Sequence, residues 1–109
     1  MIYKHRNLAD GKWKKMPFFE QMANIGSEVS RTISWKGKNK EYSNKAFDRT
    51  LELLDMTIDD SKNKGRLKEL IRLREVLADY FVFDNDYKSN DDLWQKYFYS
   101  FNYAARLSC

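Results

Sequence analysis

The sequence predicts an all-α protein, a four-helix up-down-up-down bundle behind a short N-terminal extension. Four segments place apolar residues at steps of three and four, which is the period of an amphipathic helix. No segment alternates apolar and polar residues as a half-buried strand does. The chain has 109 residues, of which 16% are aromatic, and this is enough for the core of one domain. We therefore predict a basic extension over residues 1–16 and a bundle domain over residues 17–109.

The first predicted helix begins at Pro17, the single proline, because its fixed φ suits a first helical position. Its apolar residues recur every three or four positions: Phe18, Met22, Ile25, Val29 and Ile33. Gly37 and the polar residues around it end the helix. Gly26 lies inside the helix, where glycine destabilises by about 0.5–1 kcal/mol relative to alanine. It therefore predicts the close approach of a neighbouring helix, with a ligand contact as the alternative.

Ser43 is a good N-cap and predicts the start of the second helix. The apolar stripe of this helix consists of Phe47, Leu51, Leu54 and Ile58. Residues 59–65, DDSKNKG, are typical of a turn. The apolar face of the third predicted helix consists of Leu67, Leu70, Ile71, Leu77, Ala78 and Phe81.

Arg74 falls inside the apolar face of the third predicted helix. A buried guanidinium needs a carboxylate partner. Glu28 flanks the core face of the first helix and is our first choice, with Asp48 and Asp55 of the second helix as alternatives. We interpret Arg74 as a structural bridge that fixes helix register, rather than as an active-site arginine.

The fourth predicted helix follows a loop over residues 83–88. Ser89 with Asp92 three residues later resembles a capping box. The apolar face of this helix consists of Leu93, Trp94, Tyr97, Phe98 and Phe101. Tyr99 and Tyr103 point away from that face, which is typical of a contact surface. They predict a protein interface, with a homo-oligomer as the expected assembly; packing in a curved bundle and base stacking are the alternatives.

Catalytic and metal-binding residue types are scarce. Cys109 is the only cysteine and His5 the only histidine, so cysteine-based metal sites and the usual nucleophile pairs are excluded. Four glycines include no phosphate-binding loop. We therefore expect no enzyme, no metal and no cofactor. No apolar run approaches the ~18–20 residues that a membrane helix needs, so we expect a cytoplasmic protein without a membrane contact.

The net charge is +4, and the charges come in blocks. In an up-down bundle, the loop between the second and third helices lies at the same end as the N-terminal extension. This topology predicts one basic pole made of Lys12, Lys14, Lys15, Lys62, Lys64 and Arg66.

Clustered cations suit a phosphate backbone, although an ordinary solvated charge cluster looks the same in sequence. We predict a non-enzymatic helical adaptor that binds RNA or DNA, or a nucleic-acid-handling protein, through the basic pole. The alternative is a protein–protein interaction module, such as an antitoxin-like or scaffold subunit, with no nucleic-acid contact.

Four stretches carry a family resemblance: EQMANIGSEVSRTISW, AFDRTLELLDMTI, LKELIRLREVLADYF and YFYSFNYAAR. They resemble a family of small, uncharacterised bacterial all-helical proteins over roughly residues 1–107. The resemblance implies a bacterial cytoplasmic or mobile-element origin and transfers no functional residue. In size and expected fold, the chain is also similar to the accessory proteins of diversity-generating retroelements and to ribosomal intervening-sequence proteins, which are basic helical oligomers associated with RNA. That similarity is an analogy of fold.

Overall fold

The computed structural model describes the backbone of residues 6–107 and the side chains of residues 11–107. Within this range the chain is helical and has no strand, so the predicted all-α class is confirmed. The described residues form five α-helices rather than four, and one 3₁₀ helix. The helices are α1 (Arg6–Lys15), α2 (Phe18–Trp35), α3 (Lys40–Asp59), the 3₁₀ helix (Ser61–Arg66), α4 (Leu67–Phe81) and α5 (Asp91–Leu107).

Helix α2 is the centre of the fold and packs along both α3 and α5. Where α2 ends and α3 begins, Ser43 Oγ donates a hydrogen bond to the carbonyl of Thr32 at 2.9 Å. At the other end of α2, the ring of Phe18 lies 6.0 Å from that of Phe101, near the end of α5. Both neighbours therefore run antiparallel to α2.

Helix α4 packs on α3 and also runs antiparallel to it. This direction is evident from the contact between Phe47, near the start of α3, and Phe81, at the end of α4, whose ring centroids are 5.1 Å apart. The buried arc of α4 contains Leu70, Leu73 and Leu77. Leu67 and Ile71, which the sequence assigned to the core face, are 38% and 50% exposed. They lie at the edge of this arc, which is rotated from the predicted face.

The apolar core contains many of the predicted stripe residues, but also Leu53 and Met56 of α3, which the sequence did not assign to it. The predicted Leu93 is 54% exposed and lies outside the core. The fully buried members of the core are Met22, Ile25, Val29, Leu54, Met56, Leu70 and Leu77. The approach of α2 to α5 is closest at Gly26. A Cβ atom built there would lie 2.7 Å from Cβ of Phe98, well inside ordinary contact distance. The missing side chain of Gly26 therefore lets α5 pack directly on the backbone of α2.

Two predicted helix starts are displaced. Asn39, not Ser43, caps α3, and its side-chain oxygen accepts from the backbone N–H of Tyr42 at 3.1 Å. Ser43 instead lies inside the first turns of α3, buried, with its hydroxyl committed to α2. Asn90, not Ser89, caps α5 by accepting from the N–H of Leu93 at 2.9 Å. Asparagine and serine are both good caps, so the sequence rule alone does not separate neighbouring candidates.

The predicted environment of Arg74 is wrong. Its side chain is 37% exposed, and its Nε atom donates to Oδ1 of Asp55 on α3 at 2.8 Å. Glu28, our first choice, instead accepts from Arg31 at 2.9 Å. Glu28 borders a groove between α2 and α3, whereas Arg74 meets α3 from the α4 side. Asp55, one of the two alternatives, faces that side.

The loop between α4 and α5 is fixed by Asp79, which is 8% exposed. Its two carboxylate oxygens accept the backbone N–H groups of Asp86 and Tyr87 at 2.9 and 3.0 Å. The carboxylate therefore closes the loop onto the last turns of α4.

Lys36, Tyr80 and Asp91 join the ends of α2, α4 and α5 next to this loop. Lys36 Nζ lies 2.7 Å from Oδ1 of Asp91 and 3.0 Å from the hydroxyl of Tyr80. Burial on its own would lower the pKa of Lys36, but the hydrogen bonds to Asp91 and Tyr80 outweigh it and raise the pKa. For the Asp91 carboxyl, the hydrogen bonds from Lys36 and Tyr80 outweigh burial in the opposite direction and lower the pKa. Lys36 is therefore held as a structural cation at this end of the fold.

Candidate nucleic-acid interface

The first part of the predicted basic pole is carried by α1, and Trp13 attaches this helix to the core. Trp13 is 4% exposed, and its indole Nε1 donates to the hydroxyl of Thr57 on α3 at 2.9 Å. Residues 6–15, which the sequence assigned to an extension, thus form a docked helix. This helix is difficult to predict from the sequence, because one buried tryptophan in a lysine-rich segment produces no apolar period.

A buried polar network lies beneath α1. The side-chain amide of Gln21, 0% exposed, donates to the carbonyl of Trp13 at 2.8 Å and to Oδ2 of Asp60 at 2.9 Å. The amide of Asn63, 3% exposed, donates to Oε1 of Gln21 at 2.9 Å and to the carbonyl of Thr57 at 3.0 Å. Because both hydrogens of each amide find acceptors, the network satisfies these buried groups and ties α1, α2, α3 and the 3₁₀ helix together at one end.

Lys62 connects the two basic segments. Its Nζ atom donates to the backbone carbonyl of Lys14 at 3.1 Å and also forms an ion pair with Asp60. Burial alone would raise the pKa of the Asp60 carboxyl, but the hydrogen bonds from Lys62 and Gln21 outweigh it and lower the pKa. Lys62 therefore compensates a buried carboxylate in addition to adding positive charge.

The remaining predicted cations lie around this junction. Lys12, Lys14 and Lys15 are in the last turn of α1, where cations are favoured by the helix dipole. Lys64 is exposed on the 3₁₀ helix. The guanidinium of Arg66 lies over the ring of Phe18, 4.2 Å from its centroid. The fold thus brings residues 12–15 and 62–66 to the same end, the arrangement that the up-down topology predicts.

Lys62 is held by an ion pair with Asp60, and Arg66 lies over the ring of Phe18. Three other cations have no contact of this kind: Lys12, Lys15 and Lys64. All three are exposed, and no ion pair involves them within the part of the chain that the structure describes. Unpaired, solvated ammonium groups can approach a phosphate without first breaking an internal bond. These three residues are therefore the cations best suited to contact a polyanion.

Tyr99 and Tyr103 lie on the outer face of α5, 66% and 56% exposed. Tyr99 borders a groove between α2 and α5 with a volume of about 260 Å³. Small and uncharged residues line this groove, among them Ala23, Gly26 and Ser27. In a chain with 33% charged residues, the groove has no charged lining residue, and depletion of charge is one feature of the core of a protein interface.

A second groove, between α2 and α3, was not predicted from the sequence. Trp35 and Tyr42 line it, with ring centroids 4.9 Å apart in an edge-to-face arrangement. Each cation that borders this groove is paired with a carboxylate. The pairs are Arg31 with Glu28 at 2.9 Å, Lys45 with Glu41 at 3.4 Å, and Arg49 with Glu52 at 2.8 Å. These charges are therefore balanced, unlike those of Lys12, Lys15 and Lys64. No sequence signal marks it, since Trp35 and Tyr42 belong to different helices.

No group of three histidine, cysteine, aspartate or glutamate residues is placed to hold a metal ion among the residues with described side chains. Within the same range, none of the helices is long and apolar enough to cross a membrane. Comparison with protein families, with curated proteins and with solved structures found no match. The resemblance carried by the four sequence stretches therefore stays a prediction.

Proposed function

We propose that the protein is a non-enzymatic helical adaptor that binds nucleic acid, or a nucleic-acid-handling partner, through its basic end. We define the basic end as residues 12–15 of α1 together with residues 62–66 of the 3₁₀ helix. The observation that carries this proposal is the hydrogen bond from Lys62 to the carbonyl of Lys14, which holds two basic segments remote in sequence against each other.

The form of the basic end supports contact with a phosphate backbone rather than with a single small anion. Lys12, Lys15 and Lys64 are solvated and lie on two separate elements, so they can meet several phosphates along a strand. Such contacts release condensed counterions, and the affinity then falls steeply with salt without depending on base sequence. Because one of the two segments is α1, binding and the docking of α1 are coupled, and a ligand that contacts both segments stabilises the docked helix.

The test compares two doubly substituted variants with the same change of charge. Lys15→Glu with Lys64→Glu removes two unpaired cations of the basic end without touching Lys62, whose loss would expose the charge of Asp60. Lys38→Glu with Lys40→Glu makes the same change at the opposite end. Binding to labelled RNA and DNA is measured by fluorescence anisotropy between 50 and 200 mM salt. Circular dichroism verifies that both variants keep their helices.

We expect the basic-end variant to lower the magnitude of the slope of log K against log salt by about 1.4–1.8, since each of the two lost phosphate contacts removes roughly 0.7–0.9. The opposite-end variant should leave the slope nearly unchanged. Equal losses in both variants would mean that general positive charge, not the basic end, attracts the nucleic acid. Absence of binding by the native protein at low salt would refute the nucleic-acid proposal.

The second candidate function is a protein–protein interaction module without nucleic-acid contact. The observation that favours it is the exposure of Tyr99 and Tyr103 beside the uncharged groove between α2 and α5. Substituting both tyrosines with serine should then abolish partner binding, whereas reversing Lys15 and Lys64 should not affect it.

A further inference from the structure

The outer face of α5 carries a regular stripe. Asp92, Tyr99 and Arg106 follow at steps of seven residues, close to two helical turns, so they lie almost in line along the helix. All three are exposed, Tyr99 by 66%. Tyr99 is midway along the stripe, with each charged residue about 10 Å from it along the axis, from a rise of ~1.5 Å per residue.

The two ends of this stripe carry opposite charges, each of the sign that the dipole of α5 favours at that end. Asp92 and Arg106 form no ion pair with any residue that the structure describes. This contrasts with the carboxylates Glu28, Glu52 and Asp55, each of which has an arginine partner within 2.9 Å. An acidic end and a basic end at equal distances from a central tyrosine make a surface that is complementary to itself when one copy is reversed.

We propose that this stripe is the interface of a homodimer in which two α5 helices pack antiparallel about a two-fold axis passing near Tyr99. In this arrangement Asp92 of each copy faces Arg106 of the other, which gives two equivalent ion pairs, as an isologous interface requires. A parallel arrangement would place Asp92 against Asp92 and Arg106 against Arg106, and both contacts would be repulsive. Electrostatics therefore selects the antiparallel pairing.

The groove beside Tyr99 fits the same occupant. Its volume of about 260 Å³ lies below the ~300–1,000 Å³ of pockets for drug-sized ligands and is suited to one protruding side chain. The groove lies next to Tyr99. A two-fold axis that brings the two Tyr99 side chains together therefore also places the Tyr99 ring of each copy near the groove of the other. The groove has no charged lining residue, so covering it removes no ion from water. This dimer does not depend on nucleic-acid binding.

Charge reversal with rescue tests the pairing. The native protein should be a dimer by sedimentation equilibrium at tens of micromolar. Asp92→Arg alone, or Arg106→Asp alone, turns both pairs repulsive. The loss of two exposed pairs of ~0.2–1 kcal/mol each should raise the Kd by roughly 2- to 30-fold, and the new repulsion should raise it further. The double variant restores opposite charges and should return the Kd to within a few fold of the native value. A monomeric native protein, insensitive single variants, or a double variant that stays monomeric would each overturn the proposal.

Cross-linking tests the position of the axis. In a Cys109→Ser background, Tyr99→Cys should form a disulfide-linked dimer on mild oxidation, because the two positions meet at the axis and a disulfide requires Cα atoms about 4.4–6.8 Å apart. The control is Phe83→Cys in the same background, at a residue that is 71% exposed and lies in the loop before α5. Equal rates of cross-linking at both positions would overturn the proposed axis.

Discussion

Gly26→Ala tests the closest contact in the fold. In an isolated helix this substitution would stabilise by about 0.5–1 kcal/mol, because alanine loses less backbone entropy than glycine. Here the new Cβ atom would lie 2.7 Å from Cβ and 2.9 Å from Cγ of Phe98. Phe98 is 5% exposed, and these atoms are close to its backbone, so it cannot rotate away. Helix α5 must therefore move as a unit.

The expected loss of stability in Gly26→Ala follows from the short distance between the new Cβ atom and Phe98. Ordinary carbon contacts are ~3.5–4.0 Å, so α5 must retreat by about 1 Å along part of its length. Overpacking of this kind costs roughly 1–3 kcal/mol, which exceeds the gain in helix propensity. We expect a net loss of about 1–2 kcal/mol and a fall in Tm of roughly 4–15 °C by circular dichroism.

Gly11→Ala is the matched control, since it makes the same change inside α1, where no atom lies within 4 Å of the new Cβ. We expect it to raise the Tm by about 2–8 °C through helix propensity alone. Opposite signs for the same substitution would identify packing as the cause. If Gly26→Ala raised the Tm as Gly11→Ala does, the close packing of α5 on α2 would be refuted.

Three further predictions follow from single side chains. Arg74→Met should lower stability by no more than about 1 kcal/mol in urea unfolding, because its pair with Asp55 is partly exposed; a loss of ~3–5 kcal/mol would indicate a buried pair. Asp60 has a lowered pKa, so its carboxylate stabilises the native state above the unfolded-state pKa, and this contribution is lost as the pH falls through the folded-state pKa. Asp60→Asn should therefore flatten the acid decline of Tm below about pH 5, and an unchanged decline would contradict this assignment. Burial, with Glu69 as a smaller cause, raises the pKa of Tyr97 to about 12, so the native state should lose stability as the pH rises from about 10 to 12, and Tyr97→Phe should lose less over that range.

The helices with long apolar periods could be predicted from the sequence, and α1 could not. Helix α2 has five apolar residues in register, and periodicity identifies it without any tertiary information. Helix α1 is held by Trp13 and by the polar contacts of Gln21, neither of which has a repeating pattern. The buried pair of Gln21 and Asn63 was missed for the same reason, because an amide looks like a surface residue until its partners are known.

The basic end could be anticipated because it depends only on topology and charge. Its internal arrangement could not, since the pairing of Lys62 with Asp60 depends on a 3₁₀ helix where the sequence indicated a turn. Arg74 shows a related limit. The sequence placed Arg74 inside the apolar face, but the buried arc of α4 is rotated from that face, and a long side chain reaches solvent from its edge. The choice between Asp55 and Glu28 depends on which neighbouring helix Arg74 meets.

The carboxylate of Asp79 affects how the loop between α4 and α5 exchanges amide hydrogens with deuterated solvent. Asp86 and Tyr87 belong to no helix or strand and are exposed residues, so fast exchange would normally be expected of them. Their N–H groups are nevertheless bound by the two oxygens of a side chain that is 8% exposed and anchored in α4. Exchange at these two positions then requires the hydrogen bonds to the Asp79 carboxylate to break. The two amides should therefore exchange more slowly than the exposure of their residues suggests.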